Sequence, residues 1–255
     1  MVKKYLSRTY AFLVYLFLYM PIFLLILFSF NDSRYGGRWQ GFTFKWYTEL
    51  FSDGSIMESL YTTIIVAVIA SIISTVIGTI SAIAIHNMSP RKKAILTNLS
   101  YIPMVNPDIV IGISLLSFFS ILNLKLGYIT LILAHITFNI PYVIFAVLPK
   151  LQQLNPNIEE AALDLGATPI QAFFKVILPE IMPGIITGSL LAFTLSLDDF
   201  IVSFFTTGSG VSTLSIKVYS MTKRGISPKI NALSSLMFIA VLALMLLLQL
   251  RDAKN

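Results

Sequence analysis

The sequence contains no cysteine, which excludes disulfide bonds, thiol catalysis and metal sites built on cysteine. Charged residues are also scarce, at 12% of the 255 residues, whereas roughly a quarter is usual in soluble domains. Hydrophobic residues make up 56% of the chain, and the mean hydropathy is +0.82. A chain with so little charge and so much apolar surface belongs in a lipid bilayer.

Six charge-poor stretches are long enough to cross the roughly 30 Å hydrocarbon core as helices, which satisfy their own backbone polar groups there. The stretches are residues 9–30, 59–85, 94–122, 127–148, 181–206 and 231–250. The chain outside them is short and divided, which leaves no room for a second globular domain. We therefore predict an all-α polytopic membrane protein with about six transmembrane helices, forming a single domain over residues 1–255.

The basic residues of the short loops predict the orientation in the membrane. A cluster at residues 91–93, together with Lys3, Lys4 and Arg8, predicts that both termini face the cytoplasm. The first stretch is a retained helix rather than a cleaved signal, because polar residues and no small-residue cleavage site follow it. We read the net charge of +6 as topology and lipid contact, since no basic face is long enough to follow a nucleic acid.

The segment between the fourth and fifth stretches, about residues 150–180, is more ordered than a simple loop. Asn155 and Pro156 are typical of the start of a short helix, Gly166 of its left-handed end, and Thr168 with Pro169 of a second start. Each predicted helix has an apolar stripe at helical spacing, formed by Ile158, Ala161, Ala162 and Leu165 on the first and by Ile170, Phe173, Phe174 and Ile177 on the second. Periodicity alone leaves open an amphipathic hairpin that rests on the membrane.

The same segment resembles the signature of the membrane permeases of binding-protein-dependent ABC importers. That signature is Glu-Ala-Ala, three residues, Gly, nine residues and Ile-x-Leu-Pro. The chain has Glu160-Ala161-Ala162, then Gly166, then Val-Ile-Leu-Pro at residues 176–179, so that one Val in place of Ile is the single departure.

The resemblance implies a type I importer permease architecture with a coupling helix that docks on an ATP-hydrolysing subunit. Small residues allow that helix to approach its partner closely, and acidic residues offer charges at the rim. The implied coupling residues are Glu159, Glu160, Ala161, Ala162, Asp164, Gly166 and Pro179. The implied partners are a homologous permease, two ATPase subunits at the cytoplasmic face and a soluble solute-binding protein outside, with membrane lipids around them. The chain itself is then no enzyme, needs no cofactor and lies in the cytoplasmic (inner) membrane.

Most of the chain is also similar to the permeases of spermidine/putrescine importers, in length, six-helix layout and local runs. The runs are Ser-Phe-Asn at 29–31, Pro-Met-Val-Asn-Pro-Asp at 103–108, Ser-Leu-Asp-Asp at 196–199, Tyr-Ser-Met at 219–221 and Ser-Pro at 227–228. This resemblance implies that the substrate is a polyamine.

Three acids in the apolar stretches, Asp108, Asp198 and Asp199, point to the same class of substrate. A central Asp costs roughly 2.5 to 3.5 kcal/mol on insertion scales, so such groups normally face a partner or a wet cavity. No Lys or Arg lies at comparable depth, but a substrate with several ammonium groups supplies the missing charge. We predict a substrate site formed by these acids and Ser196. The open alternative is that the acids cap helices or bond to Ser196 and the backbone.

Adjacent residues of a helix project about 100° apart, so Asp198 and Asp199 do not meet the same atom unless the helix is broken. We therefore expect one of them to bind while the other caps or packs. Trp46, in the first external loop, is our candidate for the first contact with an arriving cation, since indole faces attract ammonium groups. Interfacial anchoring is the alternative role for Trp46.

Other polar and small residues favour packing between helices. His135 and Asn139 share one face of the fourth stretch and predict interhelical hydrogen bonds, with a role in substrate binding as the alternative. Two stripes of small residues predict close helix contacts, namely Ser74, Gly78 and Ala82, and Gly184, Gly188 and Ala192.

Three other functions are weighed against the importer permease. An intramembrane hydrolase would use Ser114 with His135, but a Gly-x-Ser triplet without an orienting group is weak evidence. An ion-coupled carrier would use the same acids, yet it predicts internal repeats that we do not find. A structural assembly subunit leaves the acids unexplained. A permease for another small solute also remains open.

Overall fold

The computed structural model describes the backbone of residues 2–33, 38–223 and 228–252, and the side chains of residues 8–33, 38–223 and 228–243. Ser227 of the Ser-Pro run, and the side chains of Lys3 and Lys4 on which the predicted orientation depends, lie outside the described residues. In the described part, the regular structure is helical apart from an isolated bridge between Asn31 and Phe42. The helices are α1 Val2–Ser29, α2 Lys45–Ser52, α3 Gly54–His86, α4 Pro90–Val105, α5 Asp108–Ile121, α6 Tyr128–Gln153, α7 Ile158–Asp164, α8 Pro169–Ala172, a π turn Phe173–Ile177, α9 Leu178–Asp198, α10 Ile201–Thr206, α11 Leu214–Lys223 and α12 Pro228–Asp252.

Within the described residues, four helices are long and apolar enough to cross a membrane, and they overlap the first, second, fourth and fifth predicted stretches. They are Arg8–Ser29, Gly54–His86, Tyr128–Gln153 and Pro169–Asp198. The all-α polytopic prediction is therefore confirmed. The fifth stretch is not one helix, because α9 ends at Asp198 and α10 begins at Ile201. The last predicted stretch lies on α12, whose apolar part with described side chains is Pro228–Ala243.

The third predicted stretch is not one straight helix. It consists of α4 and α5, which meet at an angle of 103°. Asn106 between them has an extended backbone, with φ −72° and ψ 142°. Pro107 explains the break, because proline lacks the N–H that the helix needs and disfavours helical geometry in the residue before it.

The helices form two compact units, Met1–Met57 with Lys217–Asn255, and Glu58–Ile216. In the first unit, α12 packs against α1 and against α2. In the second unit, α6 is the central helix and contacts α4, α5, α9 and α10. Its side chains Val143, Ile144 and Val147 are buried in an apolar core.

Both predicted small-residue stripes pack against α6, so the prediction of close helix contacts is confirmed. A Cβ placed on Gly78 of α3 would lie 2.6 Å from Val143 Cβ, and one on Gly188 of α9 would lie 3.2 Å from Val143 Cα. A Cβ on Gly184 would lie 2.9 Å from the carbonyl oxygen of Ala146. The absence of side chains therefore lets α3 and α9 approach α6 from two sides.

Replacing Gly78 with valine is expected to lower the free energy of unfolding by about 1 to 3 kcal/mol, the usual cost of overpacking a filled interior. The added atoms would overlap Val143. Thermal unfolding of the detergent-solubilised protein measures the change. Gly54→Val is the matched control, because nothing lies within 4 Å of a Cβ at Gly54. Equal effects of the two substitutions would contradict the packing argument.

Candidate functional site

Two helix breaks in the second unit form a cavity of about 610 Å³. The first break separates α4 from α5, and the second separates α9 from α10 at Asp199 and Phe200. The residues that line the cavity come from both breaks and from α6 between them. They are Pro103, Asp108, Ile111, Phe138, Tyr142, Thr194, Leu195, Asp198, Asp199, Phe200, Ile201 and Val202.

The structure brings the three predicted acids together in this one cavity, although Asp108 and Asp198 are 90 positions apart in the chain. The side chains of Asp108 and Asp198 are exposed and have no hydrogen-bond or ion-pair partner among the described residues. None of the described residues that line the cavity is Lys, Arg or His. The cavity therefore has a strongly negative lining with aromatic walls.

Helix dipoles act differently on the two exposed carboxylates. Asp108 is the first residue of α5, where the positive end of the dipole stabilises a negative charge. Asp198 is the last residue of α9, where the negative end destabilises it. We therefore expect the charge of Asp198 to oppose the stability of the isolated chain, which is typical of a residue that serves binding rather than folding.

Asp199 performs the structural task that we expected of one acid in the pair. Its Oδ1 accepts a hydrogen bond from the backbone N–H of Val202 at 3.2 Å, and its Oδ2 accepts one from the N–H of Ser203 at 2.6 Å. These bonds cap α10. The helix ends at Asp198, and Asp199 has an extended backbone. Because the helix is broken here, these adjacent acids can both face one cavity.

His135 and Asn139 form the interhelical hydrogen bonds that the sequence predicts. His135 Nε2 lies 3.0 Å from Ser203 Oγ, and Asn139 Nδ2 donates to Ser196 Oγ at 2.8 Å. Ser196 is thus buried against α6 and does not line the cavity, contrary to its predicted place at the substrate site.

The group formed by Ser203, His135 and Asp199 is not a hydrolase triad. Both Ser203 Oγ and Asp199 Oδ2 approach the same ring nitrogen, Nε2, at 3.0 and 3.6 Å. A triad uses one ring nitrogen for the nucleophile and the other for the carboxylate. Ser114, which the hydrolase hypothesis pairs with His135, makes no described contact with it.

Trp46 belongs to the first unit and is only 3% exposed. Its indole N–H donates a hydrogen bond to the backbone oxygen of Asn31 at 2.7 Å, and Lys45 Nζ lies 5.2 Å from the ring centroid. The ring is therefore packed in this conformation, and its predicted role as a first contact for a cation stays a prediction.

The coupling segment contains the predicted first helix with a shifted start. We expected Asn155 to cap it, but α7 begins at Ile158, and Asn155 Oδ1 instead accepts a hydrogen bond from the N–H of Asn157 at 3.0 Å. The side chain of Asn155 thus closes a turn over residues 155–157, immediately before α7.

A second cavity of about 440 Å³ lies beside α7 and is lined by His86, Leu151 and Phe173, among others.

The predicted end of α7 is confirmed. Gly166 has φ +88°, its N–H bonds to Leu163 O at 2.9 Å, and the N–H of Ala167 bonds to Ala162 O at 3.1 Å. This pair of bonds is a Schellman motif, in which glycine is favoured because the left-handed backbone carries no Cβ penalty. The start signal at Thr168 is also confirmed by a capping box with Gln171.

The second predicted short helix is not a separate element. It is the beginning of one continuous helix, Pro169–Asp198, which includes the π turn and α9. Pro179 explains the wider π turn before it, because proline has no N–H for the regular hydrogen bond and its ring crowds the preceding turn. One helix therefore joins the coupling segment to Asp198 at the cavity.

The coupling segment presents both acidic and apolar side chains to its surroundings. Glu159, Glu160 and Asp164 are exposed. Leu165 is 90% exposed and Phe174 is 60% exposed, so the outer parts of the predicted apolar stripes are not covered by the chain itself. Exposed apolar groups inside a charged rim are typical of a protein-binding surface.

Several features of the site carry no clear signal in the sequence. Phe138, Tyr142 and Phe200 line the cavity, but apolar and aromatic residues are so common in this chain that no spacing distinguishes them. Thr130 Oγ1 donates to the backbone oxygen of Thr206 at 2.8 Å, a contact between positions 76 residues apart. Such contacts depend on how the helices pack, which local periodicity does not encode.

Comparison with known proteins gives one consistent result. Residues 74–253 match the family model described as binding-protein-dependent transport system inner membrane component. The chain is 38% identical over 255 residues to the spermidine/putrescine transport system permease protein PotC of Haemophilus influenzae, covering 100% of this chain and 99% of the relative. It is 39% identical over 232 residues to the putrescine transport system permease protein PotI of Escherichia coli, covering 88% of this chain and 83% of the relative.

Among solved structures, the chain is similar to one from a bacterial ABC transporter involved in the import of the acidic polysaccharide alginate. The TM-score is 0.78 at 16% sequence identity, and the match covers 97% of this chain and 95% of the other. A chain of an amino acid ABC transporter matches with a TM-score of 0.60 at 20% identity, over 82% of this chain and 95% of the other. At these identities the two structures support the fold alone.

Proposed function

The chain belongs to the family of binding-protein-dependent transport system inner membrane components and is the permease of an ATP-binding-cassette importer; from this premise we propose that it conducts polyamines. It is a multi-pass protein of the inner membrane and not itself an ATPase. Its family implies ATPase and solute-binding-protein partners.

The observation that carries the proposal is the convergence of three carboxylates in one cavity, whose lining has no cationic residue in the described part of the chain. A polyamine brings two or more ammonium groups, each of which can form a charge-assisted hydrogen bond with a carboxylate. Phe138, Tyr142 and Phe200 offer apolar surface for the methylene spacers, and their ring faces attract the ammonium groups. Neutral sugars and anions would leave these carboxylates unpaired.

Two of the acids would then bind the substrate directly, whereas the third shapes the site. Asp108 and Asp198 have no other partner among the described residues, so their carboxylates are available to ammonium groups. Asp199 forms the cap of α10. It also lines the cavity and adds its negative charge there. The names of the relatives, which are spermidine/putrescine and putrescine permeases, support the same substrate class.

The coupling segment would dock on the ATPase. Gly166 ends α7 in a fixed left-handed turn, and the exposed Leu165 and Phe174 supply apolar surface for a groove of the partner. Glu159, Glu160 and Asp164 would pair with basic residues at its rim. Since Pro169–Asp198 is continuous, a displacement of α7 by ATP-driven closure would reach Asp198 through one helix.

The complete pathway would lie between this chain and a homologous permease, with both termini in the cytoplasm. A solute-binding protein would deliver the substrate from outside, where the cavity opens when the ATPases close. Hydrolysis would then reverse the cycle and release the substrate inside.

Uptake of labelled spermidine into proteoliposomes that hold the whole complex, with its ATPases and binding protein, tests the substrate class. We expect ATP-dependent uptake that excess putrescine inhibits and that an uncharged sugar or an anion leaves unchanged. Transport of a neutral or anionic solute without any effect of polyamines would refute the polyamine proposal. The family assignment does not depend on this outcome.

A further inference from the structure

Three polar side chains of α6 hold the broken helix α9–α10 on both sides of its break. Before the break, Asn139 donates to Ser196 at 2.8 Å. At the break, His135 lies against Ser203 and Asp199. Beyond it, Thr130 donates to the backbone oxygen of Thr206 at 2.8 Å. The three side chains of α6 in these contacts are buried, and they join both α9 and α10 to the same helix.

His135 occupies the decisive position among these contacts. Its side chain is buried, with Nε2 at 3.0 Å from Ser203 Oγ and at 3.6 Å from Asp199 Oδ2. Asp199 in turn accepts hydrogen bonds from the N–H groups of Val202 and Ser203, the second and third residues of α10. The imidazole therefore lies beside Asp199, the residue at the break. Asp198, which precedes Asp199 in the chain, is exposed in the cavity.

The surroundings of the ring decide which nitrogen carries the proton. His135 Nδ1 is buried without a hydrogen-bond partner among the described residues. Burying an N–H without an acceptor costs more free energy than burying a lone pair without a donor, so we assign the proton to Nε2. The ring is then neutral, and its Nε2–H donates to Ser203 Oγ at 3.0 Å, while Asp199 Oδ2 lies 3.6 Å away, outside hydrogen-bond range. The backbone N–H of Ser203 donates to the same carboxylate oxygen, so the imidazole supports Asp199 through Ser203 without cancelling its charge, which Lys or Arg at this position would do.

We propose that His135 is a positioning residue of the translocation site: through Ser203 and Asp199 it holds the α9–α10 break in the geometry that presents Asp198 to the cationic substrate. His135 does not line the cavity, so its action on the substrate is indirect. This inference rests on the proposed transport of polyamines, and it adds a residue whose role the acidic cavity alone does not reveal.

The variants His135→Ala and His135→Gln test the proposal in the whole complex, as initial rates of spermidine uptake with saturating loaded binding protein. We expect His135→Ala to lower the rate roughly fivefold, a size that fits the loss of one hydrogen bond between neutral groups. His135→Gln is expected to keep at least about half of the rate, because its amide N–H can replace the Nε2 donor. Thr137→Ala is the control on the same helix, since Thr137 is exposed and bonds only to Leu133 O.

A double-mutant cycle separates positioning from general support of the fold. If His135 acts by presenting Asp198, His135→Ala is expected to lower uptake less than about twofold when Asp198 is already Asn. Equal losses in both backgrounds would overturn the proposal, as would full uptake by His135→Ala or no rescue by glutamine. If Asp198→Asn leaves no uptake to measure, the rescue by glutamine decides alone.

Two further arms complete the test. Should His135→Ala fail to assemble, Ser203→Ala removes the hydroxyl at the same contact, and undiminished uptake by this variant would overturn the proposal. Absence of polyamine uptake by the wild-type complex would instead refute the proposed function, so the two failures are distinguishable.

Discussion

Asp198→Asn is expected to reduce spermidine uptake by the assembled complex roughly tenfold or more. The substitution keeps the size of the side chain but removes the charge that would meet an ammonium group, and a hydrogen bond between charged partners contributes about 1.5 to 3 kcal/mol. That free energy corresponds to roughly a tenfold to hundredfold loss of occupancy. Initial uptake rates at saturating loaded binding protein measure the effect.

The same substitution is expected not to destabilise the protein, and this separates binding from structure. Asp198 ends α9 and has no partner among the described residues. Removing its charge relieves an unfavourable interaction with the helix dipole, worth about 0.3 to 1 kcal/mol. The unfolding temperature should therefore stay the same or rise while uptake falls.

Asp32→Asn is the matched control for the charge itself. Asp32 is exposed in the other compact unit and does not line the cavity, so the same loss of one negative charge should leave uptake unchanged. Full uptake by Asp198→Asn would disprove the proposed role of Asp198. A fall in uptake together with a fall in stability would support the structural alternative that the sequence left open.

Gly166→Val is expected to uncouple the ATPases from transport. A β-branched residue at φ +88° is strained by about 1 to 3 kcal/mol, so the turn that ends α7 would no longer hold its geometry. Strain of this size shifts a two-state equilibrium roughly fivefold to a hundredfold. We expect the stimulation of ATP hydrolysis by loaded binding protein to fall at least about fivefold, measured on the reconstituted complex.

Backbone strain, and not lost space, is the reason for this expectation, because nothing lies within 4 Å of a Cβ at Gly166. Gly166→Asn is therefore the matched variant. Asparagine adopts the left-handed conformation more readily than other residues with side chains and should retain most of the stimulation. Equal losses in the valine and asparagine variants would show that the bare surface of glycine matters rather than its conformation. Normal stimulation in both would remove Gly166 from the coupling role.

Local signals in the sequence predicted the positions of several helices and helix ends. The scarcity of charge located the long helices, because a bilayer admits only segments that satisfy their backbone internally. Gly166 and Thr168 marked a helix end and a helix start correctly, since both signals act through hydrogen bonds within a few residues. The motif around Glu160 and Gly166 pointed to the family that the comparisons establish.

Tertiary structure alone decided how the acids are used. The sequence placed Asp108, Asp198 and Asp199 in apolar surroundings, but only the packing of α5 and α9 around α6 brings them to one cavity. It also moved Ser196 from the predicted site to a buried bond with Asn139. The break that divides an exposed Asp198 from a capping Asp199 lies against His135, which belongs to a helix about 60 residues earlier. Periodicity reports only on neighbours along the chain, whereas a cavity is made by helices that meet in space.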